Sequence, residues 1–275
     1  MGAGSSAAGS QGSAGSGSAG SGSAGASAGE SAQAWPRREV VSFGRRDGRR
    51  RGRFARQYPP QLDRLVIAPP RGERAASLAP GWVFDAREAF GRDAPLVVEI
   101  GSGTGEAVLA SARARPDADH LAVEVYRPGA ARTVAQAGAQ DLTNVRVIEA
   151  DARALVAGGL APGSVAEVRV FFPDPWPKAR HHKRRLVDEA FVTDAARVLR
   201  AGGVLRLATD WEHYAHQMRR VADACPALEK ATPPESAGEP GWAPRFAGRP
   251  ETTFERKGLR AGRRIYDLEY RRRAR

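Results

Sequence analysis

Five short apolar runs, at residues 96–100, 120–125, 145–148, 165–172 and 204–208, alternate with four segments of helical pattern, at 106–115, 128–139, 186–200 and 213–224. This alternation constrains the fold more than any other feature. Runs of that length suit strands covered on both faces, and strands separated by helices of 10–15 residues build a parallel sheet with right-handed crossovers. Gly202-Gly203 is expected to stop the helix before it. The tail reads differently. Residues 226–250 are rich in Pro, Gly and Ala and read as a loop. Residues 252–257 and 263–271 then read as two strands around Gly258 and Gly262, with Tyr266, Leu268 and Tyr270 on one face. The predicted architecture is α/β, a mostly parallel seven-stranded sheet closed by a C-terminal antiparallel hairpin.

Three regions follow from composition. Residues 1–34 are almost wholly Gly, Ala and Ser, bury too little apolar surface to offset their ordering entropy, and are read as a disordered leader. Residues 35–60 form a basic arm: positions 37–57 hold nine Arg against Glu39 and Asp47, more than half of the formal net charge of +12. The remaining 61–275 form the folded domain. A sequence pI near 10.8 points to an acidic partner, most simply nucleic acid. Only four of the 43 basic residues are Lys, a skew that base composition of a genome can produce, so the placement of charge carries the argument. A single cysteine, Cys225, excludes an internal disulfide and a cysteine-built metal site and suits the cytoplasm. No apolar run approaches the ~18 residues of a membrane span.

Two stretches carry chemistry. The first strand ends in Glu99-x-Gly101-x-Gly103-x-Gly105, a turn in which glycine lets the backbone approach a ligand. A nicotinamide fingerprint sets its third glycine three residues after the second; here they are two apart, and no Lys or Arg lies in the turn to hold a pyrophosphate. S-adenosylmethionine, with a carboxylate and a sulfonium instead of phosphates, suits the turn better. Glu124 ends the second strand, placed to accept from ribose hydroxyls. Asp151 ends the third, placed either to accept from an adenine amino group or to cap a helix. The second stretch follows the fourth strand. Three prolines at alternate positions, Pro173, Pro175 and Pro177, forbid helix and inner strand and make a stiff loop at a strand end. That loop presents Asp174 and Trp176, then a basic cluster from Lys178 to Arg185. Trp176 suits either a stacking platform for a base or a core aromatic. His181 and His182 lie in a basic run without nearby acids, which argues against metal.

Taken together these pieces resemble the bacterial tRNA (guanine-N7)-methyltransferases. The likeness spans residues 40–271. It rests on Ser42-Phe43-x-Arg45-Arg46-x-Gly48-Arg49, the glycine turn, Glu124-Val125-Tyr126-x-Pro128-Gly129, and Asn144-Val145-x-Val147-Ile148-x-Ala150-Asp151-Ala152. Further matches are Phe172-Pro173-Asp174-Pro175-Trp176-Pro177-Lys178-x-Arg180-His181-x-Lys183-Arg184-Arg185, Thr209-Asp210-Trp211, and Thr252-x-Phe254-Glu255. The resemblance implies a Rossmann-like class I methyltransferase fold and transfer of a methyl group from S-adenosylmethionine to a guanine of the tRNA variable loop. It implies Glu99, Gly101, Gly103, Glu124, Asp151 and Asp174 at the cofactor and reaction site. It implies Lys178, Asp210, Thr252, Thr253, Phe254 and Glu255 at the guanine, with Arg180, His181, His182, Lys183, Arg184 and Arg185 on the tRNA. The expected partner is tRNA, with no membrane and no metal, for a monomer or homodimer. Nothing in the resemblance reaches the leader.

Guanine N7 carries an in-plane lone pair and no proton, so its attack on a sulfonium methyl needs neither a covalent nucleophile nor a base at N7. The methylated ring is cationic, and a fixed carboxylate beside it helps the transition state more than the ground state. Asp174 is the candidate, either facing the ring's N1–H and exocyclic amine or orienting the cofactor, with Asp210 as a second acceptor or a helix cap. Two other classes fit parts of the chain. A non-catalytic RNA-binding protein on this scaffold would be expected to show a degraded cofactor loop, whereas all three strand-end acids are present. An amino methyltransferase would carry an Asn/Asp-Pro-Pro-aromatic loop, an order that Pro173-Asp174-Pro175-Trp176 breaks.

Overall fold

The computed structural model of the chain describes Met1 and residues 59–72, 77–231 and 241–274. Apart from Met1, the leader and the basic arm through residue 58 lie outside the described residues. Eight strands form one sheet: β1 (Val66–Ile67), β2 (Leu96–Ile100), β3 (Asp119–Val123), β4 (Val145–Ile148), β5 (Val165–Phe171), β6 (Leu199–Thr209), β7 (Leu228–Lys230) and β8 (Tyr266–Arg272). Their order is β1-β4-β3-β2-β5-β6-β8-β7. The first six run parallel, while β8 is antiparallel to both β6 and β7. The helices are α1 (Ala86–Phe90), α2 (Glu106–Ala114), α3 (Arg127–Ala139), α4 (Ala152–Ala154), α5 (Glu189–Val198), α6 (Glu212–Asp223) and α7 (Thr253–Arg260).

Every residue of β2 and β3 is buried, as expected of parallel strands with both faces covered. One face, carrying Val98, Ile100, Leu121, Val168, Val170, Leu205 and Leu207, packs against Phe191, Tyr214 and Met218 of α5 and α6. The other, at Ala122, Val145 and Val147, packs against Val108, Leu109, Val134 and Ala137 of α2 and α3. Local chemistry places the helix starts: Asp188 accepts from the Phe191 amide at 3.0 Å to open α5, and Pro128 sits in the first turn of α3.

The parallel alternation stands as read, and the tail does not. Residues 253–260 form a helix, so the antiparallel partner of β8 is β7, inside the stretch read as loop. The signal for that helix is present: Thr252 and Glu255 have capping-box spacing, and Thr252 Oγ1 accepts from the Glu255 amide at 3.2 Å. The β-branched and aromatic character of Thr252-Thr253-Phe254 suggests a strand, and the cap prevails. Gly202-Gly203 does not stop a helix either. It lies within β6, where residues 199–204 oppose only 165–167 of β5 and the ladder bulges. The eighth strand, beyond the seven expected, is the two-residue β1 at the β4 edge. Among the described residues, no helix is long and apolar enough to cross a membrane.

Candidate active site

The glycine turn leaves β2 with φ of 71°, 57° and 86° at Gly101, Gly103 and Gly105, values that side-chain-bearing residues rarely adopt. Gly101 and Ser102 donate their amides to the carbonyl of Val123 at 2.8 and 3.2 Å, which joins the turn to β3. Glu124 then grips the turn. Its Oε2 accepts from the Gly103 amide at 2.7 Å and its Oε1 from the Tyr126 amide at 2.8 Å. From the other side α3 presses in: a Cβ on Gly129 would stand 2.6 Å from the Gly103 carbonyl oxygen. Sequence reasoning placed Glu124 at the strand end but did not find its bond to the turn, nor the part of α3.

The acids around this turn differ in what they can still accept. Glu99 is 3% exposed, and its Oε2 has no protein partner; the hydroxyl of buried Ser102, in the turn itself, has none either. A buried polar atom without a partner is costly, so this pair suits a polar ligand at the turn. Burial pushes the Glu99 carboxyl up to about 7 against the opposing pull of Arg169. Burial also raises Glu124, and the charge of Asp174 adds to it. Asp151 caps α4, its Oδ1 accepting from the amides of Arg153 and Ala154 at 2.8 and 3.3 Å, so the capping alternative is realised.

Two predictions arise here. Glu124→Ala should weaken S-adenosylmethionine binding in calorimetry by about 1–3 kcal/mol, since it both removes an acceptor and frees the Gly103 amide. NAD should not bind. Unchanged cofactor affinity would refute the role of Glu124. The second concerns pH. A carboxyl whose folded pKa lies near 7, against 4.5 in the unfolded chain, gives stability present below pH 4.5 and lost as pH rises toward 7. The loss is on the order of 3 kcal/mol. Glu99→Gln should therefore match the cofactor-free protein at pH 5 in urea unfolding and exceed it at pH 8. His120, which burial holds at about 4, titrates in both proteins and cancels in the difference. A pH-independent difference would contradict the burial of an ionising Glu99.

The proline loop is strained where sequence predicted only stiffness. Phe172 and Trp176 have φ of 53° and 44°, conformations that cost a side-chain-bearing residue about 1–3 kcal/mol each. Arg185 holds the loop from beneath. It is 1% exposed, and its guanidinium donates to the Pro175 carbonyl at 2.8 Å and to Gln217 Oε1 at 2.7 Å. Arg185 is thus not on the RNA-facing surface expected for it. Asp174, Lys178, Arg180 and Lys183 are exposed, the last two on a 3₁₀ turn spanning Ala179–Arg184. Arg184 lies 5.0 Å over the half-buried Trp176 ring, which His181 meets edge-on. His182 meets the His213 ring instead, the two centroids 4.7 Å apart and the planes tilted by 36°.

The C-terminal residues form a second layer. Arg249 is buried between two carboxylates, with Glu255 accepting at 3.1 and 3.3 Å and Asp267 at 2.6 and 3.0 Å. Arg245 adds bonds of 2.6 and 3.0 Å to Glu255. Glu255 and Thr252 are therefore buried supports, whereas Phe254 is 57% exposed, close to Gly103. Asp210 pairs with Arg263 at 2.8 Å and does not cap α6. The Cβ missing from Gly258 would stand 2.8 Å from its carboxylate, so this glycine permits close approach of α7 and makes no hairpin turn.

No sequence signal pointed to the charged row under these layers. Glu99, Arg169, Arg206 and Glu269 are aligned neighbours on β2, β5, β6 and β8. Glu167 accepts from Arg115, Arg169 and Arg206 at 2.8–2.9 Å, and Arg206 also pairs with Glu269. Phe246 caps the row, 5.0 and 4.1 Å from the Arg169 and Arg206 guanidinium carbons.

Comparison with known proteins agrees with this geometry. Residues 93–268 match the family described as "Putative methyltransferase". The chain is 42% identical to the tRNA (guanine-N(7)-)-methyltransferase of Paenarthrobacter aurescens, over 85% of this chain and 91% of that protein. It is 51% identical to the protein of the same name from Leifsonia xyli, over 70% and 82%. The fold is similar to the crystal structure of the 16S rRNA methyltransferase KamB, with a TM-score of 0.50 and 18% identity over 74% of this chain and 98% of that one. With its glycine turn, strand-end acids and proline loop in place, the chain belongs to the tRNA (guanine-N7)-methyltransferase family.

Proposed function

We propose that this chain methylates N7 of a guanine in the tRNA variable loop, at position 46, with S-adenosylmethionine as the methyl donor. The observation that carries the reading is that Glu124 and Asp174 follow β3 and β5, the two parallel strands flanking β2, and so lie at the same sheet end as the glycine turn. When bound, S-adenosylmethionine supplies a methyl group activated on a sulfonium. Glu99, Ser102 and the turn would hold its polar end, Glu124 its ribose, and Asp151 the adenine side. Asp174, exposed at the end of its strained loop, accepts from the guanine N1–H and exocyclic amine and offsets the cation that develops on the ring. Lys178, Arg180, Lys183 and Arg184 take the RNA backbone, with His181 beside them. Arg185, His182, Thr252 and Glu255 act from below, as props for the loop and for α7. Thr253 and Phe254 face the base, and Asp210 orders the end of α7.

Mass-spectrometric nucleoside analysis of tRNA incubated with the protein and labelled donor tests this: the label should appear in 7-methylguanosine. Label on another base, or none, would refute it. The basic arm belongs to the same reading. Deleting residues 37–57 should weaken tRNA binding and flatten its salt dependence, because fewer counterions are released, while removing 1–34 should change neither. An arm-deleted protein with the full salt slope would place the RNA surface elsewhere. We place the enzyme in the cytoplasm with its tRNA, working as a monomer or homodimer without metal.

A further inference from the structure

Glu106 opens α2, directly after the glycine turn. Its carboxylate does not point back at the turn but across to α7, 147 residues away in sequence. Oε2 accepts from the Thr253 amide at 2.6 Å and Oε1 from the Thr253 hydroxyl at 2.8 Å, while Arg256 pairs with Oε1 at 3.4 Å and donates to the Thr253 hydroxyl at 2.9 Å. The Thr253 amide belongs to the first turn of α7, one of the donors a helix start leaves without an intrahelical partner. Glu106 thus satisfies it from outside the helix, while Thr252 satisfies the Glu255 amide from inside. The next residue, Phe254, lies with Cε2 3.9 Å from where a Cβ on Gly103 would stand. A strut of one side chain therefore fixes the start of α7, and the exposed Phe254 ring, against the backbone that holds the cofactor.

We propose that Glu106 is a positioning residue for methyl transfer: it sets the guanine-facing start of α7 at a fixed distance from the cofactor turn, so that N7 and the methyl group meet in line. This rests on the reading of Thr253 and Phe254 as facing the base. Without the strut α7 keeps its own cap at Thr252 and its buried anchor at Glu255, so the helix survives and only its placement over the turn loosens. Small misplacements of reacting groups cost rate more than they cost affinity.

The test is single-turnover methylation at saturating tRNA and S-adenosylmethionine, alongside cofactor affinity and thermal melting. Glu106→Ala should lower the rate by about tenfold or more while cofactor affinity stays within about threefold. Glu106→Gln should restore most of the rate, because its amide still accepts from the Thr253 N–H and donates to the Thr253 hydroxyl. Thr253→Val combined with Glu106→Ala should lose less than the product of the two single losses, since both remove one interaction. A normal rate in Glu106→Ala overturns the proposal, as does a Glu106→Gln protein as slow as Glu106→Ala. Failure of the underlying reading shows separately: Phe254→Ala would then methylate at the normal rate.

Discussion

Asp174→Asn should lower the single-turnover rate of methylation by about 10²-fold or more, with tRNA affinity kept within a few-fold. The substitution preserves size and removes the negative charge. It also turns amide donors toward the guanine's own donors, which replaces two attractions with at least one repulsion. Because the cation on the ring is complete only after transfer, the lost stabilisation falls on the transition state more than on the bound substrate. The loop geometry makes the test clean. Asp174 is exposed between two positions of strained backbone, Phe172 and Trp176, and the loop is held by Arg185 from below, so the asparagine should not collapse it. Charge removal at Lys183 and Arg184 should give the reverse pattern, weaker binding with chemistry retained at saturating RNA. If Asp174→Asn instead methylates normally and merely binds tRNA poorly, Asp174 is a loop residue and its role at the guanine is refuted.

The largest effect on stability is expected at Arg249. Arg249→Met leaves Asp267 without its partner and Glu255 with Arg245 alone, in a site where Arg249 and Glu255 are each 1% exposed. Removing one member of a buried ion cluster costs about 3–5 kcal/mol, because the remaining charge stays buried and unpaired. Urea unfolding at pH 7 should show a loss of that size. The deficit should shrink on acidification. In the intact protein, burial raises the Glu255 carboxyl but Arg245 and Arg249 more than offset it, so Glu255 sits below its usual range. Stability from such a group is present above its unfolded pKa and lost as pH falls. In the variant the orphaned carboxylates can take up protons and shed part of the penalty. A substitution that costs under 1 kcal/mol, or a deficit constant with pH, would show that the cluster contributes little to folding. Because Glu255 anchors α7, the same variant should also lose methylation at temperatures well below its unfolding midpoint.

What the sequence determined is local or depends on a general rule of the fold. The runs at β2, β3, β4 and β5 are short, apolar and separated by helix-length segments, and parallel strands buried on both faces permit little else. Once that is granted, ligand chemistry must lie beyond the strand ends, so Glu99, Glu124, Asp151 and Asp174 come to one rim without any knowledge of packing. The tertiary structure alone decided which charged residues face inward. Glu167, Arg169 and Arg206 come together because the sheet sets β5 and β6 side by side, and Glu167 gathers Arg206 and Arg115, the residue after α2, from distant parts of the chain. Arg185 looks like one more cation of a basic run, and it is buried because the Pro175 carbonyl and Gln217 give it acceptors. The segment after Thr252 has side chains suited to a strand and a cap suited to a helix, a conflict that short-range preference leaves open. The cap settles it for the helix, and the start of that helix meets a carboxylate 147 residues earlier, Glu106, only once the sheet has brought α2 and α7 together. Hydrogen bonds of that kind have no sequence periodicity, because their partners are set by the packing of the two helices and not by spacing along the chain.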